Sequence, residues 1–203
     1  MILVFLLLPF VLIFCNYFVD REVALFVSRF FYTNPIWSKC TADIPDVLFL
    51  LVCVTTIVAF GCYLYRAGKG IYDESTRLFQ LVAFAVPASY FIKSVLKHVF
   101  GRINTRVWLD HQNWYGFHFL HGGGEYGGFP SGHMVVFATI AAALRRRYPQ
   151  YCSLYLLFLL LLATALVATN YHFLSDVVAG AYLGVLVETV SQKVLSRRHP
   201  LND

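Results

Sequence analysis

Charge is what this chain has least of. Asp, Glu, Lys and Arg make up 13% of its 203 residues, and hydrophobic types make up 59%. Soluble globular domains carry about 25% charged residues, so an ordinary water-soluble domain is excluded. Cysteine is sparse as well. Of the five, only Cys40 falls clearly in an expected loop, so no disulfide framework is implied. Internal repeats, low-complexity tracts and a soluble appendage are all missing. The N-terminal stretch 1–19 lacks the basic start and small-residue cleavage site of a secretory signal, and is expected to remain as a first span.

What the chain does have is long apolar runs near the roughly 20 residues that cross a bilayer. They predict an all-α, integral membrane bundle of six transmembrane helices forming one domain over 1–203. The spans are expected at about 1–19, 44–65, 78–100, 131–144, 151–169 and 176–195, with a long polar loop over 101–130. Asp20 and Arg21 are expected to end the first span. Glu22 to Tyr32 then suits a short interfacial helix, broken at Asn34-Pro35. The alternating loops hold Arg66, Lys69, Arg77, Arg145, Arg146, Arg147, Lys193, Arg197 and Arg198 on one side. Arg21, Arg29, Lys39, Arg102 and Arg106 lie on the other. Nine against five puts both termini in the cytoplasm by the positive-inside rule. The end of span three with its loop, the start of span four and the turn before span six then converge on the outer face.

Three groups of residues on that face invite a chemical reading. Gly127 to His133 sits between a glycine-rich loop and an apolar run. Ser131 suits the N-cap of the next helix, whose first N–H groups form a ready anion site, with His133 in its first turn. A well-capped helix beside a chance histidine reads equally well. Lys93 and Lys97, four apart on one helix face, either snorkel from the helix end or serve an anionic ligand there. His172 and Asp176 are also four apart. A carboxylate on one imidazole nitrogen raises the basicity of the other and makes a nucleophile, although Asp176 also suits a helix start. The loop histidines His111, His118 and His121 match no standard metal spacing and are expected to face water or headgroups.

Phe129-Pro130-Ser131-Gly132-His133, with His172, Asp176 and the Val177-Val178-Ala179-Gly180 that follows, resembles the type 2 phosphatidate phosphatase superfamily over roughly residues 90–190. The resemblance implies a six-span, metal-independent hydrolase of lipid phosphates that needs no cofactor. It also implies roles. His172 attacks phosphorus and becomes a phosphohistidine, Asp176 orients it, His133 protonates the leaving alcohol, and Ser131 and Gly132 hold phosphate oxygens. The family's first motif is a lysine, six residues, then Arg-Pro. Lys97 fits its start, but Asn104 and Thr105 stand where Arg and Pro belong. Arg102 and Arg106 flank that position, and Arg102 is expected to make the main phosphate contact with Arg106 assisting. The third motif's Ser-Arg is replaced by Ala165 and Leu166.

The expected partners are a lipid phosphate substrate and membrane lipids, with no nucleic acid. Undecaprenyl pyrophosphate, phosphatidylglycerol phosphate, phosphatidate and lipid A are compatible substrates. The expected location is a bacterial inner membrane with the site facing outward. A lipid phosphotransferase using the same histidines and a non-catalytic lipid-binding relative are the alternatives.

Overall fold

A computed structural model describes residues 2–32 and 44–198. All the regular elements among them are helical, and the single extended pairing is an isolated bridge between Arg102 and Phe117. The N-terminal helix starts as α1 (Ile2–Phe14), passes through a π-helical turn over Cys15–Val19, continues as α2 (Asp20–Val27) and ends in a second π turn over Ser28–Tyr32. The helix therefore continues through Asp20, where the first span was expected to end. The Asp20 carboxylate is buried against Arg102 and has no need of water, so the helix runs on. The expected break at Asn34-Pro35 lies outside the described residues.

The remaining helices are α3 (Ile44–Gly68), α4 (Glu74–Phe100), α5 (Thr105–Asp110), α6 (Gly132–Arg147), α7 (Cys152–Ala168) and α8 (Leu174–Arg198). Four stretches among the described residues are long and apolar enough to cross a membrane: Val47–Gly68, Glu74–Phe100, Pro149–Ala168 and Leu174–Arg197. The α6 helix continues three residues past the expected end at Leu144, so Arg145, Arg146 and Arg147 form its last turn and complement the helix dipole.

The core lies among α3, α4, α6, α7 and α8. Small residues let α6 and α8 approach closely. A Cβ on Gly184 would lie 2.3 Å from the Val135 carbonyl oxygen, and one on Gly180 2.7 Å from that of Ser131. That contact carries the start of α6 against the start of α8, and the Ser131 N–H donates to the Asp176 carbonyl at 3.0 Å.

The segment between α4 and α6 is folded rather than an open loop. Gly101 caps α4 in the left-handed region at φ 54°, and a Cβ there would overlap the His118 carbonyl. Its aromatic residues then bury one another. Trp108, Tyr115 and Phe173 pack with ring centroids 5.4–5.5 Å apart, and Phe129 packs edge-on to Phe100 and Phe117. These contacts clamp the segment over the ends of α4, α6 and α8, where the charged side chains gather.

Candidate active site

The site is built from the C-terminal end of α4, the N-terminal end of α6 and the turn before α8. Lys93 and Lys97 point from successive turns of α4 toward the start of α6. A Cβ on Gly132 would lie 3.1 Å from Lys93 Nζ, so that ammonium sits beside the first N–H groups of α6. Lys97 Nζ donates to the Gly127 carbonyl at 2.6 Å, which ties the glycine-rich approach to the same helix end. Ser131 occupies the N-cap position of α6 but makes no side-chain cap. Its buried Oγ has no hydrogen-bond partner in the structure.

A cavity of about 100 Å³ opens between these groups. Lys93, Lys97, Gly132, His133 and His172 form its polar wall, and Phe49, Val52, Tyr90 and Val136 form the rest. Lys93 Nζ also lies 3.9 Å from the Tyr90 ring centroid, a cation–π contact that aims the ammonium.

His172 is 7% exposed and stands in the turn between α7 and α8. The turn hangs from the end of α7, where the Leu166 carbonyl accepts from the Tyr171 and His172 N–H groups at 3.1 and 3.3 Å. Leu166 fills the position of the family's third-motif arginine and packs its side chain into the apolar core. His172 Nδ1 faces Asp176 Oδ2 at 3.7 Å, within ion-pair range but beyond a direct hydrogen bond. Burial pushes the His172 imidazole below its ordinary pKa, while Asp176 pulls the other way. A hydrogen bond to the Gly128 backbone also pulls upward, but burial is the largest influence and the neutral form is favoured.

Asp176 is fully buried, and both its oxygens are engaged. Oδ2 accepts from the Phe173 N–H at 3.0 Å, and Oδ1 accepts from Arg102 Nη1 at 2.5 Å. Arg102 departs from the expected phosphate contact. It is 0% exposed and does not line the cavity. Its Nη1 also donates to Ser175 Oγ at 2.6 Å, and its Nη2 to Asp20 Oδ2 at 2.7 Å, Asn16 Oδ1 at 2.9 Å and Tyr115 OH at 3.2 Å. Burial alone works against the guanidinium charge, but Asp176 and Asp20 override it and hold the pKa above the ordinary arginine value. The physical reason for the departure is charge: two buried carboxylates attract the guanidinium inward more strongly than an open cavity face can. Arg106 is turned elsewhere too. Its Nε and Nη2 donate to the Thr169 carbonyl at 3.3 and 3.0 Å, and its guanidinium lies 3.9 Å from the Tyr171 ring centroid.

The structure thus brings Lys97, Ser131, Gly132, His133, His172 and Asp176 together and draws Arg102 and Arg106 away from the cavity. It adds Lys93 to the wall, and behind the wall Asn16, Asp20 and Tyr115. Among the described residues no three His, Cys, Asp or Glu side chains form a metal cage.

A family model described as the PAP2 superfamily matches residues 79–200, more than half of the chain. The chain belongs to the PAP2 superfamily. The match runs from α4 to the end of α8 and so includes every residue of the cavity's polar wall. Membership carries a phosphatase or phosphotransferase activity on phosphate esters. No curated protein and no solved structure matches the chain.

Proposed function

We propose that this PAP2 protein hydrolyses a lipid phosphate or pyrophosphate, without a metal, through a phosphohistidine at His172. One observation carries the reading: the cavity joins a cationic and histidine-bearing wall to an apolar one. An amphiphile with a phosphate head and a hydrocarbon tail matches both walls. Lys93, Lys97, the first N–H groups of α6 and Ser131 Oγ bind the phosphoryl oxygens and stabilise the charge that builds on them. Two ammonium groups here do the work of the guanidinium groups missing at positions 104 and 166.

The reaction runs in two displacements. Nδ1 of His172 faces Asp176, so Nε2 is the nucleophile. It attacks phosphorus as the bond to the leaving oxygen breaks, and His133 gives that oxygen its proton. Asp176 stabilises the positive charge gained by the imidazole. Water then attacks the phosphorus of the phosphohistidine, His133 takes the water's proton, and the phosphorus–nitrogen bond breaks. Inorganic phosphate leaves and His172 is restored. An alcohol in place of water gives phosphotransfer instead. Nothing in the cavity geometry favours transfer, so hydrolysis is the reading adopted. The site faces outward, with both termini cytoplasmic in a bacterial inner membrane, in keeping with the nine-to-five distribution of loop cations.

The test is phosphate release by the purified protein in detergent micelles. The panel comprises phosphatidate, phosphatidylglycerol phosphate, undecaprenyl pyrophosphate and lipid A. Release from at least one, abolished by His172→Ala and retained in excess EDTA, supports the reading. Release that EDTA abolishes and a divalent ion restores contradicts the metal-free mechanism. Headgroup transfer to an added alcohol without hydrolysis marks a phosphotransferase.

A further inference from the structure

The N-terminal helix is apolar from Ile2 to Cys15 and then carries Asn16 and Asp20, four apart. Polar side chains of this kind are costly in a span and rarely idle. Both face one partner. Arg102 Nη2 donates to Asn16 Oδ1 at 2.9 Å and to Asp20 Oδ2 at 2.7 Å. Asp20 also accepts from the Ser175 N–H at 2.9 Å and the Ser175 hydroxyl at 2.5 Å. The other nitrogen of Arg102 holds Asp176, and Asp176 stands behind His172. Asp20, Arg102 and Asp176 are all fully buried, so solvent screens none of these contacts. The family match begins at residue 79, so Asn16 and Asp20 lie outside it.

The arrangement alternates in sign: carboxylate, guanidinium, carboxylate, imidazole. A buried arginine paired with Asp176 alone would cancel the negative charge that Asp176 must offer to the imidazole. Asp20 occupies the opposite edge of the guanidinium and leaves the three groups with one net negative charge. We propose that Asp20 is a positioning residue for phosphoryl transfer, acting through Arg102 on Asp176, and that the N-terminal span is thereby a working part of the site. The inference rests on the phosphohistidine reading above.

The experiment separates the charge of Asp20 from its shape. Asp20→Asn keeps an oxygen that can accept from the Ser175 N–H but removes the charge. The double variant Asn16→Asp/Asp20→Asn returns a carboxylate to Arg102 one helical turn earlier, at a position whose side chain meets Arg102 and Tyr115. Phosphatidate and a polyprenyl pyrophosphate in detergent micelles are the substrates, and inorganic phosphate as a product inhibitor reports an intact cavity. We expect Asp20→Asn to lower kcat by about tenfold or more with the inhibition constant of phosphate little changed, and the double variant to recover most of the loss. Wild-type kcat in Asp20→Asn overturns the proposal. So does a loss that the double variant, still inhibited by phosphate, fails to recover, because that pattern belongs to a structural cap on Ser175. Should Asp20→Asn not accumulate as folded protein, a folded and active double variant supports the proposal, and a double variant that is inactive or also unfolded overturns it. Wild type and His172→Ala are run alongside. An inactive wild type, or an active His172→Ala, overturns the phosphohistidine reading and this inference with it. An active wild type, a dead His172→Ala and an unimpaired Asp20→Asn overturn this inference alone.

Discussion

Among single residues, His172 bears most on the proposed reaction, through its protonation state. Its ordinary pKa is 6.5, and burial lowers it. A lowered value means that the folded protein holds fewer protons here than a free imidazole does, so the proposed nucleophile stays neutral further into acid. The acid limb of kcat/KM should therefore fall below pH 6.5, measured on the wild type with any substrate it turns over. An acid limb above that value would contradict the burial argument. The lysines bear on the same reaction differently. Lys97→Met removes a cation from the cavity wall while leaving the imidazole in place. It should cost about 10² in kcat/KM, the usual scale for one group that stabilises charge on transferring oxygens. Unchanged kcat/KM would show that Lys97 only holds Gly127.

The C-terminal end of α4, the start of α6 and the helical character of 2–32 were legible in the sequence, and the contact of the N-terminal helix with Arg102 was not. Lys93 and Lys97 declare a shared face by their spacing, and Ser131 and His133 declare a helix start. Asp20 declares nothing comparable. A carboxylate after 19 mostly apolar residues reads as the end of a span, because its partner Arg102 is 82 positions away and no local pattern joins them. The bridging place of Arg102 was hidden for the same reason. Near Lys97 in sequence it resembles a displaced phosphate ligand, whereas its charge balance is set by residues on α2 and α8. Its bridging role gives a test. Lysine cannot place two nitrogens on two carboxylates at once. Arg102→Lys should lose stability on the order of 3–5 kcal/mol, the scale for breaking a buried ion pair, read as thermal unfolding in detergent. An unshifted unfolding temperature would mean that the carboxylates tolerate a single ammonium. The α6–α8 contact was hidden as well. Gly184 reads as an ordinary glycine in an apolar run, but a Cβ there would lie 2.3 Å from the Val135 carbonyl.

Across the whole molecule, apolar run length located four helices that are long and apolar enough to cross a membrane, since hydropathy needs no tertiary information. The orientation proposed from loop charge is open to labelling. In a background without native cysteines, a cysteine at Gly123 should react with an impermeant thiol reagent in intact cells, and one at Gln150 should not. The reverse pattern would turn the active site to the cytoplasm. The proposed covalent intermediate on His172 is open to trapping. His133→Ala removes the group proposed to activate water for the second displacement, while 4-nitrophenyl phosphate supplies a leaving group that needs little protonation for the first. With the phosphoryl group radiolabelled, this variant should accumulate protein-bound label that is stable to alkali, labile to acid and mapped to the peptide bearing His172. It should vanish in His133→Ala/His172→Ala. Phosphate release with no such intermediate, or label on any other residue, would contradict the account.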